Sequence, residues 1–292
     1  MKIALHGRPI EYAKQHYIQV LFHELNKMGA RLRISESFKK HLEEQLCKEI
    51  PCEYTFSCYH ELGDTDLMLS IGGDGTLLET ITLVRHTNIP ILGINLGRLG
   101  FLATLPKEKI AEGLRAIAQG RYTIEERTML RLDSNLNLFG DLNFALNECT
   151  ISKRDTASMI IVHAYLDGEY LNSYWADGLI VATPTGSTAY SISVGGPVVF
   201  PHSRNFIISP ISPHNLNVRP LVIHDECVLS FEVEGRNNNF LVSLDSRFRT
   251  VDSNVKLSVR KSDFNARLVR LEGDNFLRTL REKLNWGADS RN

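Results

Sequence analysis

The chain has 292 residues, of which 43% are hydrophobic and 23% charged, and its formal net charge is −1. This composition is typical of a globular protein with one large or two ordinary domains. A net charge near zero gives no long-range field that would attract nucleic acid or an acidic membrane, so we expect neither as a partner. No apolar run has the length of a signal peptide or membrane span, which predicts a cytoplasmic protein.

The cysteine pattern supports the same location. There are 5 cysteines, an odd number, and none of them forms a C-x-x-C pair. No histidines cluster near them at the spacing of zinc ligands. We therefore expect free thiols in a reducing compartment.

Short apolar strands and amphipathic helices alternate over residues 1–125. The strands are expected at Lys2–His6, Arg31–Ile34, Asp66–Ile71 and Ile89–Ile94, and the helices at Tyr12–Met28, Phe38–Ile50, Thr76–His86 and Lys107–Gln119. Alternating strands and helices with short connections imply parallel pairing. The pattern predicts an α/β N-terminal domain of Rossmann-like, three-layer type.

After about residue 125, alternating and β-branched stretches replace the helical pattern. Strands are expected at Met129–Leu132, Phe144–Ser152, Met159–Leu166, Gly178–Thr183, Val228–Val233, Phe240–Leu244, Val255–Arg260 and Ala266–Leu271. Turn signals separate them, among them Asp167-Gly168 and the segment 235–239. Residues 126–271 are therefore predicted to form an antiparallel, β-rich domain, and Asn275–Leu284 a closing helix.

The first motif with chemical meaning is Gly72-Gly-Asp-Gly-Thr76, which follows a buried strand and opens a helix. Glycines there let a ligand approach the backbone, and the positive helix end favours an anion such as phosphate. A carboxylate in such a turn is repelled by phosphate unless it has another task. Asp74 could orient a hydroxyl nucleophile, accept its proton or hold Mg²⁺. The alternative is a simple hairpin turn, which the strand-then-helix context disfavours.

The second motif is longer, and runs from Asp177 to Ser191, followed by Gly195-Gly-Pro197. A strand leads into a loop of small hydroxyl side chains and backbone amides around a glycine. Such a loop suits close contact with phosphates, a ribose or an adenine edge. A solvated Ser/Thr-rich turn is the alternative interpretation.

Two smaller segments complete the set. Asn147-Glu148 lies inside an apolar strand, where the pair could grip a diol or could supply one exposed edge residue. The stretch Asn95–Leu102 follows a strand, at the position where open α/β sheets place ligand loops. It could equally be an ordinary glycine-rich turn.

These four segments occur in the order and rough spacing of the NAD kinase family, which the chain resembles from its first strand to its closing helix. The resemblance implies an α/β domain and a β-rich domain that binds NAD, with the segment 272–292 returning to the first domain. It implies an ATP-dependent kinase that phosphorylates NAD, with Mg²⁺ carried by the ATP phosphates. It also implies a homodimer or homotetramer.

The resemblance also assigns roles to individual residues. Asp74 would be the catalytic carboxylate, Asn147 and Glu148 would hold ribose hydroxyls, and Asp177 would contact the nicotinamide side of the dinucleotide. The remaining nucleotide-binding residues would be Gly72, Gly73, Gly75, Asn95, Trp175, Thr185, Gly186, Ser187, Thr188, Ala189, Tyr190, Ser191 and Arg247. Trp175 departs from the family, many members of which carry a charged or small residue there. The preference between NAD and NADH therefore stays open.

Parts of this pattern also occur in proteins with two other functions. Diacylglycerol and sphingosine kinases share the Gly-Gly-Asp-Gly turn, and phosphofructokinases have a similar one. A lipid kinase should show an apolar or basic membrane-facing surface, for which the sequence gives no sign. A dinucleotide-sensing module without catalysis is disfavoured by Asp74, because binding alone gains nothing from an anion beside phosphates.

Overall fold

The computed structural model describes residues 1–98, 100–154, 158–235 and 239–287. It divides into two compact units, Met1–Glu126 with Ala266–Asn292 as unit 1 and Arg127–Asn265 as unit 2. All of the cysteines are free, as expected. Among the described residues, no helix has the length and apolar character needed to cross a membrane.

The helices and strands are numbered in chain order. The helices are α1 (Gln15–Lys27), α2 (Glu36–Leu46), α3 (Asp74–Val84), α4 (Ile110–Ala118), α5 (Tyr190–Ser193) and α6 (Phe276–Leu284). The strands are β1 (Lys2–Gly7), β2 (Arg31–Ser35), β3 (Tyr54–Phe56), β4 (Leu67–Gly72), β5 (Ile91–Asn95), β6 (Leu105–Pro106), β7 (Tyr122–Arg127), β8 (Leu130–Ser134), β9 (Phe144–Ala145), β10 (Glu148–Lys153), β11 (Ile160–Leu166), β12 (Glu169–Ala176), β13 (Gly178–Ala182), β14 (Asn205–Ile211), β15 (Leu221–His224), β16 (Leu229–Gly235), β17 (Asn239–Leu244), β18 (Arg247–Asp252), β19 (Leu257–Lys261) and β20 (Ala266–Leu271).

An eight-stranded sheet forms the centre of unit 1, in the order β3-β2-β1-β4-β5-β20-β7, with β6 paired to β5. Strands β1 to β5 run parallel to their neighbours, as the alternation of strands and helices predicted. The strand order reverses direction between β1 and β4. In open α/β sheets, ligands bind beside the carboxyl ends of the strands at such a switch point. The turn after β4 is therefore in the position of a ligand site.

Two six-stranded antiparallel sheets form unit 2, in the orders β15-β14-β13-β10-β17-β18 and β12-β11-β16-β19-β8-β9. Buried side chains from both sheets belong to one apolar cluster, for example Ile151 and Val181 from the first and Val162 and Phe231 from the second. The alternating burial along β11 and β16 matches the alternating sequence pattern. The α/β fold with a β-rich second domain is confirmed.

The structure differs from the sequence prediction at several boundaries. The sequence pattern places the strand Ala266–Leu271 in the β-rich domain, but β20 pairs in parallel with β5 in the sheet of unit 1. Its apolar sequence suits a buried strand of either sheet, and the pattern alone cannot choose between them.

Helix α3 begins at Asp74, two residues before the predicted start. The segment 144–152 is two strands, β9 and β10, and Asn147 lies between them. Leu99 and residues 236–238, within two predicted segments, lie outside the described residues.

The position of β20 gives a test of unit 1. Val269 is 2% exposed and belongs to the apolar cluster of unit 1. We expect Val269→Ala to destabilise that unit by about 2 kcal/mol, because the lost methyl groups leave a cavity. Hydrogen exchange should show faster opening of amides in β1, β4 and β5. Val259→Ala, in the cluster of unit 2, is the matched control and should affect β8 and β16 instead. The same exchange pattern in both variants would contradict this division.

Candidate active site

The Gly72–Gly75 turn connects β4 to helix α3, whose N-cap is Gly73. The backbone N–H groups of Thr76 and Leu77 donate to the Gly73 carbonyl at 3.1 and 3.2 Å. A Cβ at Gly72 would lie 2.2 Å from Thr76 Oγ1, whereas one at Gly73 would meet nothing within 4 Å. Gly72 is thus needed for packing, and the backbone of Gly73 faces open space. A phosphate could approach the positive end of α3 at this point.

Asp74 is the first residue of α3, and its half-buried carboxylate accepts a row of backbone N–H groups. Residues 101, 102 and 103 donate to Asp74 at 2.8, 3.1 and 3.0 Å. A Cβ on Gly100 would lie 1.9 Å from Asp74 Oδ1, so a side chain at position 100 would displace the carboxylate. A carboxylate offers about four acceptor sites, and Oδ2 accepts from only one of these three groups. Asp74 is therefore held in one orientation with an acceptor site left on Oδ2.

A cation that sequence reasoning missed lies beside this turn. Arg8 follows β1, and its Nε donates to Glu79 Oε2 of α3 at 2.8 Å. The guanidinium Nη1 is 4.0 Å from the position of a Cβ on Gly75. The sequence signal for Arg8 is its position directly after the first strand. Ligands bind beside the ends of the strands at the switch point, which lies between β1 and β4.

Asn95 has a different environment from the one expected for a ligand residue. Its side chain is 2% exposed. The Oδ1 atom accepts from the Gly97 backbone N–H at 2.7 Å, and Nδ2 donates to the carbonyls of Arg98 and Ala103 at 2.5 and 3.4 Å. These bonds stabilise the loop that holds Asp74. The geometry thus favours a structural role for the Asn95 side chain, and its predicted contact with nucleotide has no support from these bonds.

In unit 2, the loop after β13 contains the predicted hydroxyl side chains. Most of them bond within the protein: Ser187 Oγ donates to the Val199 carbonyl at 3.2 Å, Ser191 Oγ is 3.1 Å from Ser209 Oγ, and Thr185 Oγ1 accepts from Arg127 at 3.2 Å. Thr185, Gly186, Ser187 and Ser191 are buried, Thr188 and Ala189 are half-buried, and Tyr190 is exposed. The surface that a ligand can reach is formed by residues 188–190, and the buried hydroxyls shape it from below.

This loop packs directly on the Asn147-Glu148 segment. The Thr183 backbone N–H donates to the Asn147 carbonyl at 2.8 Å, and the Gly186 N–H donates to Thr183 Oγ1 at 3.1 Å. A Cβ on Gly186 would lie 2.0 Å from the Asn147 carbonyl oxygen. The structure therefore brings the two predicted segments of unit 2 together, as a shared nucleotide site requires.

Glu148 has an unusual electrostatic environment. Burial and then the negative charge of Asp245 raise the pKa of Glu148 to about 8, against a hydrogen bond from the Tyr190 backbone N–H. Its Oε2 atom is buried without a hydrogen-bond partner among the described residues. A buried polar atom without a partner costs free energy, and a ligand hydroxyl could satisfy it.

Asp245 is a second residue that the sequence analysis did not assign. It lies in the turn between β17 and β18, and its carboxylate accepts from the backbone N–H groups of residues 146, 147 and 148 at 3.0, 2.8 and 3.3 Å. The preceding alternating strand and the Asp-Ser pair mark a hairpin turn in the sequence. Nothing in that pattern indicates a partner almost a hundred residues earlier.

The remaining predicted residues are arranged as follows. Lys153 Nζ lies 2.6 Å from Asp177 Oδ1, so the Asp177 carboxylate is paired within unit 2. Trp175 is 53% exposed on β12. The Arg247 guanidinium donates to the Leu142 and Phe144 carbonyls, which fixes it beside the turn that contains Asp245.

A cavity of about 690 Å³ also lies in unit 1, between α1 and the segment 48–53. None of the predicted site residues lines it. The motifs, and not this cavity, therefore define the candidate site.

Comparison with known proteins gives consistent matches. The family model for the ATP-NAD kinase N-terminal domain matches residues 3–122, and that for the ATP-NAD kinase C-terminal domain matches residues 146–271. The NAD kinase of Cytophaga hutchinsonii is 55% identical over 294 residues, covering 100% of both chains. The NAD kinase from Archaeoglobus fulgidus in complex with ATP is similar with a TM-score of 0.75 and 27% identity, covering 98% of this chain and 99% of that one. Yeast NADH kinase complexed with NADH has the same fold, with a TM-score of 0.87 at 22% identity, covering 99% of this chain and 89% of that one.

The contact between Gly100 and Asp74 gives a prediction for stability. We expect Gly100→Ala to lower the free energy of unfolding by about 1–3 kcal/mol, because the new methyl group must push the loop away from Asp74. Gly97→Ala is the matched control, since its Cβ would lie 3.7 Å from Asn95 Oδ1, an ordinary contact. Urea unfolding measures both. If Gly100→Ala were as stable as Gly97→Ala, the close approach would not exist in solution.

Proposed function

The chain belongs to the ATP-NAD kinase family, and we propose that it transfers the γ-phosphoryl group of ATP to the 2′-hydroxyl of the adenosine ribose of NAD. The products are NADP and ADP, so the protein acts in NADP biosynthesis. The observation that carries this proposal is the oriented carboxylate of Asp74, at the positive end of a helix, in a turn whose glycine backbone is open to a phosphate.

In this reaction the ribose oxygen attacks the γ-phosphorus and the bond from phosphorus to the β,γ-bridging oxygen breaks. The bridging oxygen leaves with ADP, and the hydroxyl proton must go to a base. The acceptor site on Asp74 Oδ2 suits both orientation of the hydroxyl and acceptance of its proton. The N-terminus of α3 and the Arg8 guanidinium provide positive charge for the phosphates.

The NAD-binding residues in this proposal come from unit 2. Asn147 and Glu148 bind ribose hydroxyls, and the reachable surface of residues 188–190 contacts the adenosine. Support comes from the buried Glu148 Oε2 atom, which has no partner among the described residues, and from the loop packed against Asn147. Asp177 and Trp175 are proposed for the nicotinamide side. The paired state of Asp177 means that a ligand there would contact its ion pair with Lys153.

Mg²⁺, cellular location and assembly complete the proposal. Three backbone N–H groups already occupy most of the acceptor sites of the Asp74 carboxylate, which leaves little room for a metal ion bound by Asp74 alone. The site therefore fits a Mg²⁺ ion that is held mainly by the ATP phosphates. When bound, the ion would neutralise charge that develops on the transferred phosphoryl group.

Free cysteines support a cytoplasmic location. The edge strand β15 exposes Leu221 and Val222, which supports a homodimer or homotetramer.

The first functional test is Asp74→Asn, with formation of NADP from NAD, ATP and Mg²⁺ as the assay. We expect kcat to fall by about 10²- to 10⁴-fold with little change in the affinity for NAD, because the lost group acts mainly in the transition state. Asp66→Asn is the matched control: Asp66 is an exposed carboxylate preceding the opposite end of β4, and it accepts the Lys2 N–H at 2.7 Å. A kcat for Asp74→Asn within about threefold of wild type would exclude Asp74 from the chemistry.

The second test concerns Glu148 and pH. Because its pKa is raised to about 8, Glu148 is mostly protonated at pH 7 in the free protein. Ribose hydroxyls donate more strongly to the carboxylate, so NAD should bind the ionised form and its KM should fall about tenfold between pH 7 and pH 9. Glu148→Gln should abolish this pH dependence and, at pH 9, raise the KM for NAD by about ten- to a hundredfold, as expected for one charge-assisted bond.

The KM for ATP serves as the internal control for Glu148→Gln and should change little. A large loss of kcat at unchanged KM for NAD would instead assign Glu148 to the chemical step. If neither parameter changed at any pH, Glu148 would have no role in binding NAD.

A further inference from the structure

In the turn between β17 and β18, one residue adopts a backbone conformation that costs free energy. Leu244 pairs with Arg247, so Asp245 and Ser246 form a two-residue hairpin turn. Asp245 has a φ of 52°, in the left-handed region. That conformation costs an L-residue roughly 1–2 kcal/mol, and glycine would adopt it without strain. The position therefore gains something from its side chain that offsets the backbone cost.

The gain is visible in the hydrogen bonds of the carboxylate. Oδ1 accepts from the backbone N–H groups of Asn147 and Glu148, and Oδ2 accepts from that of Leu146. In return, the Asp245 backbone N–H donates to the Glu148 carbonyl at 3.0 Å. One side chain thus fixes the backbone of three consecutive residues. These include both residues that hold ribose hydroxyls in the proposed function.

Asp245 also acts on Glu148 through its charge. Burial raises the pKa of Asp245, while its three N–H donors and Arg247 act in the opposite direction, and the charge of Asp245 adds to the raised pKa of Glu148. Among the described residues, the Tyr190 backbone N–H also donates to Glu148, and the neighbouring thiol of Cys149 interacts with it electrostatically. Burial raises the pKa of Cys149 to about 12, so this thiol stays neutral and adds no charge.

We propose that Asp245 is a positioning residue for NAD: it holds residues 146–148 in the conformation that presents Asn147 and Glu148 to the ribose, and it adjusts Glu148 electrostatically. The proposal rests on the proposed function, because it concerns the same dinucleotide site. In this proposal, Asp245 does not itself contact a reacting atom. Its influence on catalysis passes through the two residues whose backbone it binds.

The experiment compares wild type with Asp245→Asn. Asparagine tolerates a left-handed backbone and has the same shape, but it has no charge and only one acceptor oxygen. At pH 9, where Glu148 is mostly ionised in both proteins, we expect the KM for NAD to rise about tenfold, with kcat within about threefold of wild type. The pH at which the KM for NAD changes should move down by about one unit, because a neighbouring negative charge no longer opposes ionisation of Glu148.

The matched control is Asp252→Asn. Asp252 lies on the same hairpin, is exposed, and accepts the Asn254 backbone N–H at 2.8 Å, so it reproduces a turn contact without the contact to residues 146–148. Its KM for NAD and its pH profile should equal those of wild type. If Asp245→Asn also left both unchanged, or if Asp252→Asn shifted both equally, the proposal would be overturned.

A measurement on wild type keeps the proposal testable if Asp245→Asn fails to fold. Carbon-13 NMR of labelled glutamate carboxyls should find Glu148 titrating near pH 8, and an ordinary midpoint of about 4.5 would remove the electrostatic part. Failure of the proposed function has a separate signature, which is a wild-type protein that forms no NADP. In that case, calorimetric binding of NAD to wild type and Asp245→Asn still decides whether Asp245 positions the site.

Discussion

Both units depend on one type of interaction, a carboxylate that accepts three consecutive backbone N–H groups from a distant loop. In unit 1, Asp74 binds residues 101–103, and in unit 2, Asp245 binds residues 146–148. Loop backbone without regular pairing must find partners for its N–H groups, and a carboxylate supplies several acceptor sites at one point. The bonds to charged acceptors are also stronger than neutral ones. Each unit therefore fixes one loop backbone with a single buried or half-buried carboxyl side chain.

The surroundings of the two carboxylates separate their roles. Asp74 lies in the first turn of a helix, next to glycine backbone that faces open space and near the Arg8 guanidinium. A ligand phosphate and a hydroxyl can both reach that neighbourhood. Asp245 lies beside Glu148 and, after burial, is the second cause of the raised pKa of that carboxyl. The same hydrogen-bond pattern is thus compatible with the reacting role proposed for Asp74 and with the positioning role proposed for Asp245. The two carboxylates differ in how easily a ligand can reach them and in the charges beside them.

The sequence predicted the elements that depend on local pattern. Helices, parallel strands and the glycine turn all follow from spacing within a few residues, and so does the loop after β13. The contacts that the sequence analysis missed join residues far apart in the chain: Asp245 with the segment 146–148, Gly100 with Asp74, and β20 with β5. The side chain of Asn95, a polar residue at a strand end that is predicted to contact nucleotide, bonds within its own loop, and the contact with nucleotide stays a prediction. Local pattern identifies which residue types are present, but the partner of each polar atom is decided by the tertiary fold.

The return of β20 to the sheet of unit 1 has a consequence for biosynthesis. The N-terminal part of a chain emerges from the ribosome first, so β1 to β5 are synthesised long before Ala266–Leu271. Until then, the edge of β5 at Ile91 lacks the partner that Leu268 later supplies. An unpaired strand edge in a nascent chain is prone to non-native pairing. Truncation near the C-terminus should therefore harm the first unit synthesised more than the second, and nascent chains of this protein are expected to need chaperone protection until translation is nearly complete.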